Sequence, residues 1–161
     1  MSIVSNTGPL IALAKVDLLG LLQQRFTQVH IPPAVQRELL AKTGPEAIRL
    51  DHAFDTFLKI APRPLLPAEV KAATVQLDLG EQEAIALAYD MRQSLLLDEQ
   101  LGRQAARQLG LTVTGVVGVL IEAKKANLLP SVRPVMVQMR VNGYWFSDEL
   151  LDLAAKLAGE T

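Results

Sequence analysis

Short apolar runs alternate along the chain with longer stretches in which apolar positions recur at helical spacing. The runs Ser2–Ser5, Gln28–Ile31, Phe57–Ile60, Ser94–Leu97 and Leu111–Val113 have the length of buried strands. Helical patterns occupy Pro9–Val16, Leu18–Arg25, Pro33–Leu40, Pro67–Leu77, Glu81–Arg92, Glu99–Leu109, Gly115–Ala126 and Asp148–Ala158, several with a proline or polar cap near the start. Strands alternating with helices predict a mostly parallel sheet covered on both faces. The segment Ala61–Pro67, with Pro62, Pro64 and Pro67, reads as an extended crossover and not a domain boundary. In an open parallel sheet the functional crevice lies beyond the carboxyl ends of the strands, so the residues that follow each strand are the first candidates for chemistry.

Composition narrows this picture. With 161 residues, half of them hydrophobic, the chain suits one compact domain, here 1–161. Its apolar runs, such as Leu10–Ala14 and Leu95–Leu97, fall far short of the ~20 residues that cross a bilayer, so no membrane span is expected. Cysteine is absent and the N-terminus carries no basic region before an apolar segment, which makes a cytoplasmic protein the default expectation. The formal net charge of −1 lacks the overall basic signature of many nucleic-acid binders, so contact with phosphate has to come from local patches or from metal.

Two polar residues follow strands directly. Asn6 comes after the first and Asp98 after Ser94–Leu97, and they are neighbours if those strands pair. Each also has an ordinary reading, Asn6 organising the turn before Pro9 and Asp98 capping the helix that begins at Glu99. Glu81 opens a helix after Gly80 and shares a small apolar face with Ala84, Ile85 and Ala88; either it faces a polar crevice or it merely complements the helix dipole. Glu83 falls on another face and reads as surface. Glu38 borders the buried face of Pro33–Leu40, where a solvated flank is the commoner role. Arg103 and Arg107 share a helical face that phosphate could meet, whereas Lys124 and Lys125 are better explained by a helix C-terminus. The glycines of Thr114–Gly118 lack the spacing of a phosphate-binding loop, and no Ser/His/Asp or cysteine-based nucleophilic set can be assembled.

The segments Ile3–Ile11, Ile31–Glu38, Leu79–Ala88, Leu96–Arg103 and Thr114–Lys124 together resemble successive blocks of the PIN-domain family. More narrowly, they resemble a prokaryotic branch of predicted PIN-like nucleic-acid-binding proteins related to VapC-type toxins. That resemblance implies a three-layer α/β/α fold and a metal-dependent ribonuclease. Residue by residue, it places Glu38, Glu81 and Asp98 as the catalytic acids and ligands of Mg²⁺ or Mn²⁺, with Thr114 as a polar neighbour and Arg103 either pairing with an acid or guiding phosphate. Asn6 stands where many members carry an aspartate; an amide offers a metal one neutral oxygen but no charge. The resemblance further implies RNA as substrate, a small antitoxin protein as partner, and a homodimer. Two other readings stay open: a PIN-like protein that binds RNA or a partner without cutting, and an α/β regulatory interaction module with Asp98 as a lone functional acid. The lack of an acidic pair after the first strand counts against a receiver-type module.

Overall fold

The computed structural model describes residues 1–160. Five strands, β1 (Ser2–Ser5), β2 (Gln28–Ile31), β3 (Leu58–Ile60), β4 (Leu95–Leu96) and β5 (Val113–Thr114), form one sheet in the order β3-β2-β1-β4-β5, every pair parallel. Ten helices connect and flank them: α1 (Thr7–Lys15), α2 (Gly20–Arg25), α3 (Pro33–Leu40), α4 (Pro45–Thr56), α5 (Ala68–Ala73), α6 (Leu79–Met91), α7 (Gln100–Gln108), α8 (Val116–Lys125), α9 (Arg133–Val141) and α10 (Asp148–Leu157). The architecture is the expected three-layer α/β/α sandwich. Neighbouring strand residues point to opposite faces, yet Ile3 and Val4, like Leu95 and Leu96, are all buried; both faces of the sheet are therefore covered by helices.

The expected strands β1 and β2 and helix α3 appear with the expected bounds, and the remaining expected elements appear with shifted ends. Two helices have no counterpart in the hydrophobic pattern. Helix α4 buries only Leu50 and Ala53 and leaves Ile48 exposed, too thin a stripe to stand out. Helix α9 buries Met136 and Met139 but exposes Val137 and Val141, so its apolar residues lie on both sides and blur the period. Residues 61–67 connect β3 to α5 without regular secondary structure. Among the described residues no helix is long and apolar enough to cross a membrane.

Strand order locates the functional edge. From β1 the chain builds outward through β2 to β3, then returns to the other side of β1 with β4 and β5. The direction of winding therefore reverses between β1 and β4, and in open parallel sheets the carboxyl ends of the strands at such a reversal are where ligands bind.

Candidate functional site

Asn6 and Asp98 flank this switch point. Ser5 is in register with Leu96, and the Asn6 amide donates to the Leu96 carbonyl at 2.9 Å, so the two residues leave adjacent strands side by side. Asn6 is the N-cap residue of α1, but its side chain makes no capping hydrogen bond, which leaves the amide group unused by the turn. The next residue, Thr7, has a buried hydroxyl with no partner among the described residues.

The expected capping role of Asp98 on the following helix belongs instead to Glu99, whose carboxylate accepts the amides of Leu101 at 3.1 Å and Gly102 at 2.6 Å. Asp98 reaches across to α8. Its Oδ1 accepts the Val116 amide at 3.0 Å, and its Oδ2 accepts the Tyr144 hydroxyl at 2.5 Å. Gly115, the N-cap of α8, makes this approach possible, since a Cβ there would collide with Asp98 Oδ1. Arg103 lies beside Asp98 and is anchored by donating from Nη1 to the Leu97 carbonyl at 2.9 Å. Burial raises the Asp98 carboxyl above the usual carboxylate range, outweighing the Tyr144 and Val116 hydrogen bonds and the Arg103 charge, which pull it down. The Thr114 hydroxyl packs against Gly118 in the first turn of α8, where a Cβ would come within 2.6 Å of it.

Glu81 defines a second centre at the start of α6. Asp78 is the N-cap there, its Oδ1 accepting the Glu81 amide at 2.8 Å. In a capping box the glutamate three residues on reaches back to the cap amide; Glu81 instead leaves Oε2 buried with no partner among the described residues. Glu81 Oε2 and Glu99 Oε2 converge on the first turn of α7, each 3.3 Å from where a Gly102 Cβ would stand. Burial, reinforced by the neighbouring Asp78 and Glu99 carboxylates, pushes Glu81 up to about 8. Ionised neighbours can only accept hydrogen bonds, so a protonated Glu81 can donate to them and an ionised one cannot. Glu38, exposed on α3, brings its carboxylate against Gly80 at the same helix start.

Glu38 and Glu81 approach the start of α6, with Asp78 and Glu99, while Asp98 is engaged at the start of α8. The raised carboxyl that a cluster of acids predicts is present, but desolvation is its first cause, and its acidic neighbours are Asp78 and Glu99 and not Glu38 and Asp98. Asp78 was legible as the first residue of an Asp-x-x-Glu pattern, and Glu99 as the residue after Asp98. Tyr144 had no local signal, being 46 residues from Asp98.

Donor chemistry and donor placement differ in what they say about a metal. Buried carboxyl oxygens, one of them unpartnered, match the preference of a hard divalent cation in kind. Among the described residues, however, no three His, Cys, Asp or Glu side chains are grouped so as to hold an ion.

Three other charged residues have partners within the fold. Glu83, expected on the surface, is 2 % exposed; it accepts the Ala34 amide of α3 at 2.9 Å and pairs with Arg63 at 3.6 Å. Lys124 pairs with Glu160 at 2.9 Å, and Lys125 with Glu122 at 3.6 Å, consistent with their assignment to a helix end and not to phosphate.

A family model described as a PIN domain matches residues 2–160. Among solved structures, the chain is similar to a PilT N-terminus domain protein from the hyperthermophilic archaeon Sulfolobus solfataricus P2, at 16% identity and a TM-score of 0.53, covering 76% of this chain and 93% of that one. At this identity the likeness concerns the fold. Comparison with curated proteins gives no match. With the family match spanning nearly its whole length, the chain belongs to the PIN-domain family.

Proposed function

We propose that the chain is a divalent-metal-dependent ribonuclease that hydrolyses RNA phosphodiester bonds and acts as the toxin of a toxin–antitoxin pair. The observation that carries this reading is Glu81, a carboxyl group buried at the sheet's carboxyl edge with an unpartnered oxygen and a proton affinity raised to about 8. A buried carboxyl without a donor is costly, and such groups gather at functional sites because a ligand relieves the cost.

In this reading Glu38, Glu81 and Asp98 hold Mg²⁺ or Mn²⁺, and Asn6 adds a neutral oxygen. A bound divalent ion supplies an activated water and neutralises charge developing on the phosphate. Around it, Glu81 has to lose its proton to become a ligand, and Asp78 and Glu99, tied to the starts of α6 and α7, hold the carboxyl-lined wall in place. In this reading Arg103, which lies beside Asp98, meets phosphate, and Thr114 on β5 is a polar neighbour. The proposal includes a single cytoplasmic PIN-like domain, a homodimer, and a small antitoxin protein as partner.

Cleavage of assorted RNAs by purified protein, with Mg²⁺ or Mn²⁺ and with chelator, tests the reading. Cleavage is expected only with metal and is expected to be lost in Glu81→Gln. Cleavage that survives both chelator and this substitution sinks it. A second reading, an RNA- or partner-binding protein without cleavage, is favoured by Asn6 and by the full engagement of Asp98 with Tyr144 and Val116; specific RNA binding without cleavage in either metal would establish it.

A further inference from the structure

The loop between α9 and α10 carries three aromatic residues in succession, Tyr144, Trp145 and Phe146, of which only the middle one is largely exposed. Phe146 is 4 % exposed and meets Tyr144 edge to face with ring centroids 5.4 Å apart. Tyr144 turns to the switch point and gives its hydroxyl proton to Asp98 Oδ2. Trp145 is 75 % exposed, with the Arg140 guanidinium 5.5 Å from its ring centre. Single exposed apolar residues are ordinary on a protein surface. What sets Trp145 apart is its place, one residue along the backbone from the tyrosine that touches Asp98.

The loop is tied down on both sides of this ring. The Gly143 amide donates to the Arg140 carbonyl at 3.1 Å and the Tyr144 amide to the Met139 carbonyl at 2.9 Å, which closes the chain onto the end of α9. Arg140 donates to the Phe146 carbonyl at 3.2 Å and to Asp148 at 2.8 Å, and these two bonds fix its guanidinium over the indole. The ring quadrupole attracts a cation in that position, so one face of Trp145 is taken and the other is open to solvent. A ring already held in this way can accept a flat partner with little further ordering cost.

We propose that Trp145 is a stacking platform for an unpaired base of RNA, and that the strand reaches the switch point single-stranded. This rests on the reading of the chain as a protein that acts on RNA. Charge favours a nucleotide over an apolar protein side chain as the occupant: guanidinium groups lie beside the ring, Arg140, and beside Asp98, Arg103, where they suit the phosphates that flank a stacked base. A base within a duplex is stacked on its neighbours and has no face to give, so the platform selects single strands and loops.

The test uses Trp145 itself, the chain's one tryptophan. A single-stranded oligoribonucleotide without self-complementarity, and the duplex it forms with its complement, are titrated into the full chain, with indole emission and the anisotropy of labelled RNA read together. Titrations are made in chelator and, to include metal-dependent binding, with Mn²⁺ on the Glu81→Gln background. The single strand is expected to quench the emission and to bind more tightly than the duplex. Trp145→Ala is expected to weaken single-strand binding by about 5- to 100-fold, the range for one base stacked on an aromatic ring. Trp145→Phe is expected to recover most of that loss, and the salt dependence is expected to stay the same in both variants, because the ring neutralises no phosphate. RNA binding with unquenched emission, or with Trp145→Ala equal to the wild type, overturns the platform and leaves the RNA reading standing. No binding of either RNA in either condition overturns both. Self-association lost in Trp145→Ala with RNA binding unchanged overturns the platform by assigning the ring to a protein contact.

Discussion

Glu81 and Glu83 leave α6 two residues apart, and both are buried, 8 % and 2 % exposed, but they meet opposite environments. Glu83 faces the start of α3, where the Ala34 amide needs an acceptor, and Arg63 lies on its other oxygen. Both of its oxygens are engaged, and it joins two helices. Glu81 faces other carboxylates, and one of its oxygens has no partner. The lesson is that burial does not separate a structural acid from a functional one; the partners do. A buried acid that has its donors has been used by the fold, whereas one that lacks them is stable only with a proton or a cation.

The sharpest way to test this contrast is to remove the satisfied acid. Glu83→Ala strips the acceptor from a buried amide and the partner from Arg63, and is expected to destabilise the protein by ~2–3 kcal/mol in urea unfolding at neutral pH. A cost under about 0.5 kcal/mol would mean that Glu83 does not join α3 to α6 energetically.

Glu81 is expected to respond in the opposite direction. Because its folded value of about 8 lies above the ordinary 4.5, the native state keeps this proton to higher pH than the unfolded chain does. Its contribution to stability is therefore present in full below about 4.5 and is lost as pH rises through about 8. Glu99, held low by the Gly102 and Leu101 amides, has the opposite sign and offsets part of the slope. Glu81→Gln replaces the titrating group with an amide that can donate to Asp78 and Glu99. In chelator it is expected to be more stable than the wild type at pH 8 by ~1–2 kcal/mol and to flatten the dependence between pH 5 and 8. Thermal unfolding at the two pH values measures this, and a variant less stable than wild type at both would place Glu81 with Glu83 among the structural acids.

The smallest expected effect is at Asn6, where Asn6→Asp adds a charge beside Asp98 with little change of shape. In chelator the variant is expected to lose up to ~1 kcal/mol from like-charge repulsion, and with Mn²⁺ to bind the ion more tightly. Calorimetry paired with melting in chelator reads both; no change in either would place Asn6 outside the site.

Strand and helix order, the parallel sheet, and the positions of Asn6 and Asp98 at strand ends followed from local patterns, because a buried strand and an amphipathic helix each need a run of suitable residues in one place. Glu81 stood out for the same reason, as a carboxylate on a small apolar face. Glu83 was misread because a helix's phase tells which residues share a face but not what stands opposite, and the Ala34 amide it caps lies 49 residues away. Helix α4 escaped because its buried stripe is thin, and α9 because apolar residues on both of its sides blur the period.

What the amino-acid sequence determined by itself is therefore the fold, its family, and the set of polar residues that the strands deliver to one edge. Only the tertiary structure decided which partners those residues meet: Glu38 and Glu81 at the start of α6 with Asp78 and Glu99, Asp98 at the start of α8 with the hydroxyl of Tyr144. The physical reason is that the state of a buried carboxyl depends on donors and charges within a few ångströms, and here those come from segments far apart in the chain, which meet only when the helices have packed on the sheet.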